Sequence, residues 1–457
     1  MSRPVTVAAT RPISLIAFAA GALFMSSMVS AQDRTPSPFV SMDEIGSADE
    51  QIEVFLSERG WVRGECSCNP AGGTLVVAEA DIAVSADQIR FSEARLMATE
   101  EAYLTAVGIF ARQDSVEIVK ESTKTFMKDD LPQEIEQEDN LDALLSAVST
   151  RLATASVAQL DKLISSLGGD TSNLPQLSLS AKRKRLHDEM LVESLSRASA
   201  RMAGVGIFGV IEQTGGDGVL SNGSVNVVVV RAPGFEDLGR QLRSGESNAA
   251  LGMPVDSIRK KLAGHMAART PMLGYFGVQP VKDAEGRYGL ISFGMGAPQL
   301  VRSMDQDDMR AEYDMARMSA ELMADGWLAQ FASLAVTADR SEVRRTLKQK
   351  IDVMEGDGFI HKASSTDVGK LLSDVTRSIS KANIRGIQTI GSWSADAPDT
   401  GHPYLGVVKY WSPAMAASAE SLSDAYRNGT RPTVPAAAKP AAAPAKSNRS
   451  TGAFGEW

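Results

Sequence analysis

One structural plan occurs twice along this chain of 457 residues. From Leu191 to Pro233 it reads as a helical stretch (LVESLSRASARM), a glycine-punctuated strand (GVGIFGVIEQ), a turn (TGGDG) and a second strand (SVNVVVVRAP). From Leu371 to Pro413, 180 residues later, the order returns as LLSDVTRSISKA, GIQTIGSW, a turn around Asp396–Gly401, and PYLGVVKYWSP. No gap separates the pairs Leu191/Leu371, Arg197/Arg377, Gly206/Gly386, Val228/Val408 and Pro233/Pro413. A second correspondence lies upstream. Strand-like Gly73–Val84 precedes a helix carrying Ala94-Arg95, Ala98 and Ala102. Strand-like Tyr288–Gly296 precedes one carrying Ala316-Arg317, Ala320 and Ala324, at an offset of 222. The two offsets differ by 42 residues, the size of a segment present only in the first half. The expected fold is therefore α+β: two tandem similar domains, each a small sheet with long helices on one face.

Before the first copy, Arg3 and Arg11 lead into an apolar run, Ile13–Met25, followed by the small residues Val29-Ser30-Ala31. This is the pattern of a secretory signal peptide, and the run is short for a bilayer span. No cysteine stands at the cleavage point for acyl anchoring. The expected organisation is a signal peptide at 1–31, a linker at 32–46, a first α+β domain at 47–250, a second at 251–430, and a disordered Pro/Ala-rich tail at 431–457. The mature chain is expected to be exported and periplasmic, with no transmembrane segment.

Within the first domain, Ser47 is placed to cap a helix over Ala48–Arg59, which Gly60 stops. Its counterpart in the second half is Pro254–Gly264. The spacing predicts a helix from Asp87 to Ala111 and a further one over 114–127. Lys128–Asn140 is an acidic break. Leu141, Leu144, Leu145, Val148 and Leu152 then mark another helix, and Val157–Leu167 one more. The insertion, about 114–180, has the pattern of a projecting helical hairpin.

The chemistry-bearing residues are few. The net charge of −9 disfavours nucleic acid as a partner. Four histidines and two cysteines argue against a His-rich metal site or a disulfide-dense scaffold. Cys66 and Cys68 stand two apart, which in an oxidising compartment suits a local disulfide; redox or metal work by the pair is the sharper alternative. Gly204-Val205-Gly206-Ile207-Phe208-Gly209 matches G-x-G-x-x-G, but here a helix precedes and a strand follows, the reverse of a dinucleotide site. These glycines are read as a helix cap and a tightly packed strand. Lys182-Arg183-Lys184-Arg185 reads as a solvated helix face. Met304, Met309, Met315, Met318 and Met323 read as core packing ahead of soft-metal binding. His361 and His402 each stand alone in sequence.

The strand followed by a helix with Ala94-Arg95-x-x-Ala98-x-x-x-Ala102, repeated at Ala316-Arg317-x-x-Ala320-x-x-x-Ala324, resembles exported bacterial proteins of unknown function. More distantly it is similar to strand-plus-Ala/Arg-helix domains of flagellar-assembly proteins and small outer-membrane lipoproteins, although the acylated cysteine is missing. The resemblance implies an envelope location and carries over no functional residue. The expectation is a non-catalytic envelope protein, without cofactor or metal, that binds or scaffolds another envelope protein. The alternatives are a hydrolase whose site is assembled from distant residues, and redox or metal handling through Cys66 and Cys68.

Overall fold

The computed structural model describes residues 39–40, 47–127, 131–152, 157–169, 172–213, 223–245, 251–333, 347, 368–373, 384–398 and 400–428. The expected signal peptide, most of the expected linker, His361 and the expected tail lie outside these.

The first helix, α1 (Ala48–Arg59), begins where the sequence places it. Ser47 accepts from the Glu50 amide while the Glu50 side chain accepts from the Ser47 amide, a reciprocal cap. Gly60 closes it at a left-handed φ of 67°. The first sheet contains β1 (Phe39–Val40), β2 (Gly64–Glu65), β3 (Thr74–Asp81), β4 (Gly206–Gln213) and β5 (Ser224–Arg231), in the order β1-β4-β5-β3-β2. Only β1 runs parallel to its neighbour. The second sheet contains β6 (Gly277–Lys282), β7 (Tyr288–Gly296), β8 (Gln388–Asp396) and β9 (Pro403–Trp411), in the antiparallel order β6-β7-β9-β8.

Apart from β1 the two orders are the same, strand for strand. The registers agree as well. Val77 and Gly209 oppose Val228 in the first sheet, and Phe293 and Gly391 oppose Val408 in the second. The register slips in β4 between Ile207 and Gly209 and in β8 between Thr389 and Gly391. Central β5 reads as a continuous valine run because both its faces are covered: Val225, Val227, Val228, Val229 and Val230 are fully buried.

Further α-helices among the described residues are α2 (Phe91–Met127), α3 (Gln133–Glu136), α4 (Leu141–Leu152), α5 (Val157–Ser166), α6 (Leu179–Ala200), α7 (Pro233–Ser244), α8 (Val255–Ala268), α9 (Gln306–Ser333) and α10 (Pro413–Arg427). The alanine seams do what their small side chains permit. A Cβ added at Gly294 would lie 1.9 Å from the Ala320 carbonyl, and one at Gly296 would lie 2.0 Å from that of Ala316. Helix α9 thus rests its backbone directly on β7. The glycine that matches the first G of the dinucleotide pattern, Gly204, has φ 73° and abuts the Phe235 backbone at the start of α7. Its structural counterpart is Gly386, which the gapless sequence match had paired with Gly206: the registers set β4 against β8 at an offset of 182, and Gly386, at φ 79°, abuts Met415 and Ala416 in α10. Both serve packing.

Several expectations are corrected. The two helices expected over 87–127 are one unbroken helix of 37 residues. The acidic insertion does not project: Leu144, Leu145, Val148, Leu160, Ile164 and Leu186 pack α4 and α5 against α2 and α6 in a core continuous with the rest. Lys182 is not solvated; it is 2 % exposed and its Nζ lies 2.7 and 2.9 Å from the Asp161 carboxylate. The second-half helix α8 passes through Gly264 and ends at Arg269. Within the supposed linker, Phe39–Val40 forms β1. Met315 and Met318 point outward, 54 % and 63 % exposed, whereas Met323 packs against the core as expected.

Arg95 and Arg317 also part company. Arg95 stands in the first turn or so of α2, whereas Arg317 lies about two turns deeper in α9. Arg317 is exposed. Arg95 is 4 % exposed and joins the halves. It pairs with Glu212 of β4, the second contact at 2.8 Å, and donates to the Leu273 carbonyl at 2.7 Å. Its guanidinium carbon lies 5.1 Å from the Phe276 ring centre and 5.0 Å from that of Tyr404. Removing one member of such a pair strands a buried charge. Arg95→Ala is expected to lower unfolding free energy by about 3–5 kcal/mol in urea titrations. The apolar double replacement of Arg95 by Met and Glu212 by Leu should cost clearly less.

Candidate functional site

Strand β8 is the last strand of its sheet, and its residues Thr389–Ser394 form the floor of a half-open cavity of about 920 Å³. Helix α8 supplies one wall with Arg259, Leu262 and Met266; α9 supplies Arg317. Met266 sits on Gly391, where a Cβ would lie 2.2 Å from its methyl carbon. Arg269 belongs both to this cavity and to a neighbouring one of about 610 Å³ that also touches Tyr313, Asp396 and Tyr404. Ser394 lines both.

Three guanidinium groups therefore gather along one strand of an acidic protein, and no carboxylate is among the described residues lining the larger cavity. Arg259 is held 3.5 Å from Asp256, one helical turn away. Arg269 adopts φ 62° and ψ −57°, an unfavourable backbone state for a side chain larger than glycine. Its amide still bonds the His265 carbonyl at 2.9 Å, closing α8. The chain then turns through Thr270–Gly274, whose Leu273 carbonyl is the one bonded by Arg95. The buried ion pair thereby fixes the turn that places Arg269 between the two cavities. Tyr404 connects the same elements: it is 1 % exposed, and burial raises its phenol pKa, with Glu212 acting in the same direction and Arg95 and Ser92 opposing. Planar guanidinium forks beside hydroxyls and the Trp393 ring suit a ligand that is anionic and partly apolar.

A second polar cavity, about 830 Å³, opens on the first sheet. There Arg231 grips Asp114 with both nitrogens, at 2.6 and 2.9 Å, above the Phe110 ring. Glu65, Glu117 and Glu236 share the space with Lys120. Burial raises the pKa of Glu236, Arg231 and Arg240 oppose the shift, and Asp114 and Asp237 add to it.

The residues singled out from sequence lie elsewhere. Cys66 and Cys68 form a disulfide in the exposed loop after β2, with Cα atoms 5.1 Å apart. The loop is knitted by Asn69, whose side chain bonds the backbone of Val62, Gly64 and Gly73 at 2.9–3.0 Å. Among the described residues no group of three or more His, Cys, Asp or Glu is placed to hold a metal. His402 lies 2.9 Å from the Ala86 carbonyl and stacks on Phe91. Sequence reasoning missed Arg259, Arg269, Trp393 and Glu212. A lone acid in the otherwise apolar strand GIFGVIEQ was the available signal for Glu212.

Residues 145–244 match a family described as a domain of unknown function (DUF6844), which spans α5, α6, β4, β5 and α7. No curated protein matches the chain. A solved structure of a hypothetical protein from Francisella tularensis is similar over 82% of this chain and 93% of its own, at 16% identity and a TM-score of 0.47.

A carboxyl with a raised folded-state pKa binds its proton more tightly in the folded chain, so its ionisation costs stability as pH rises from the unfolded pKa through the folded one. Glu236→Gln removes that cost. Thermal melts should show the variant gaining on the parent between acid and neutral pH; a constant difference across the range contradicts the assignment.

Proposed function

We propose that this protein is a non-catalytic envelope protein, exported to the periplasm, that binds or scaffolds another protein through the groove along β8. The observation that carries this reading is the alignment of Arg259, Arg269 and Arg317 beside a terminal strand. Elsewhere the charge that lies deepest serves architecture: Arg95 with Glu212, Arg231 with Asp114, and Lys182 with Asp161 bind one element to another. The outer face of α9 supports a protein surface as well. Met315, Met318 and Leu322 are 54 %, 63 % and 68 % exposed and recur at helical spacing. Flexible thioethers on a surface adapt to a partner. Among the described residues no helix is long and apolar enough to cross a membrane. The resemblance to flagellar-assembly and lipoprotein domains, with the apolar leader ahead of Ala31, agrees with an envelope setting.

The test places a photo-crosslinking residue at Thr389 of the full chain in the source cells, with a second at exposed Val62, in the loop before β2, as control. A discrete adduct with one envelope protein is expected at Thr389, lost when Arg317 becomes Glu. Equal adducts from both positions would overturn the proposal.

A further inference from the structure

The two sheets differ in one place that their shared order makes visible. In the first, β1 lies along the outer edge of β4, parallel to it, with Phe39 at Val210 and Val40 at Ile211. Val210 and Ile211 oppose Val227 and Asn226 on the neighbouring strand. In the second sheet the residues opposing the matching positions, Val407 and Gly406, are Ser392 and Trp393. Both line the groove, and among the described residues no strand pairs with the outer edge of β8. Both edge strands carry the same register slip, and each is packed by an apolar side chain of the first helix of its half: Phe55 of α1 on Gly209, Met266 of α8 on Gly391. Among the described residues, one copy fills a berth that has no counterpart in the other.

We infer that the edge of β8 receives an extended acidic segment of a partner protein, added as a parallel strand where Phe39–Val40 lies on β4. The inference rests on the binding function proposed above and specifies the mode. Edge amides and carbonyls that no described strand takes up supply sequence-independent bonds to an incoming backbone. Six residues of floor, Thr389–Ser394, accommodate a segment of about six residues, roughly 20 Å long. Charge selects the occupant. Carboxylates on the segment are drawn to Arg259 and Arg269 on the α8 side and to Arg317 on the α9 side, whereas the chain's own C-terminal stretch from Arg431 bears Lys439, Lys446 and Arg449 and is repelled.

The probe is a fluorescein-labelled, N-acetylated peptide of four Val-Glu repeats, titrated against the full mature chain at low salt. Hydrogen exchange is followed with and without it. Saturable binding is expected, with slowed exchange across Gln388–Asp396. Arg317→Glu should weaken binding at least tenfold, and a Val-Lys peptide of equal length should not bind. On the unaltered protein, N-methylation at alternate peptide bonds should abolish binding, a control independent of any variant's folding. Equal affinity for the methylated peptide, displacement by inorganic phosphate at similar concentration, or protection elsewhere would each overturn the inference. So would concentration-dependent dimers that exclude the peptide, because a second copy would then be the occupant. If the Thr389 crosslink persists while the peptide result is negative, strand addition alone falls; if both are negative, the binding reading falls with it.

Discussion

A single guanidinium, that of Arg95, sets the relation of the two halves. Taking a charge out of water is costly, and only a full set of compensating contacts makes the position tolerable. Arg95 has such a set, and it draws on both sheets: Glu212 from β4, the Leu273 carbonyl from the turn after α8, Phe276 beside β6, Tyr404 from β9 and the Met295 sulfur from β7. Any sliding of one sheet against the other would strand the charge. The neighbouring contacts are apolar or backbone-mediated and follow this lead: Tyr103 meets Trp327 edge-on at 5.0 Å, and the Gly204 amide donates to the Phe331 carbonyl at 3.1 Å. Because Leu273 is held, the turn beginning at Arg269 is held, and the strained backbone of Arg269 persists. Core and groove are thus parts of one chain of constraints.

Much of this was legible in sequence because it depends on local rules. The Ser47/Glu50 cap, the Gly60 stop, the valine run of β5 and the alanine seam of α9 follow from propensity, periodicity and side-chain size. The strands β2 and β6 were not legible. Gly64–Glu65 is too short to show alternation, and Gly277–Lys282 contains Pro280, tolerable only because β6 is an edge. Lys182 was misread because its partner, Asp161, sits on another helix, and no pattern within α6 announces it. The Ala-Arg match was sound for the alanines and misleading for the arginines. A seam depends on repeats of one face, whereas burial of Arg95 depends on what the second sheet lays over it.

The groove escaped sequence reading for a related reason. Its arginines come from α8, from the turn after it and from α9, and its floor comes from a strand far downstream. None of these residues is unusual where it stands. The cysteine pair, in contrast, is conspicuous in sequence and closes only a local loop beside Asn69.

Duplication explains why such a site can arise without new architecture. The features that both copies share, sheet order, register slip, glycine against the proline-led helix, are those that packing demands, and a change in any of them collides with backbone. Features that packing does not demand are free to differ. At the outer edge of the first sheet, the chain satisfies β4 with its own β1. At the outer edge of the second, the strand turns toward α8 and α9 residues that carry positive charge in a chain whose overall charge is −9. At the exposed positions of Arg259 and Arg317 such charge contributes little to the stability of the fold. An edge lined with arginine also discourages the self-pairing that bare strands invite, because a second copy brings the same sign of charge. Protection against self-association and selection of an acidic occupant then follow from the same three side chains.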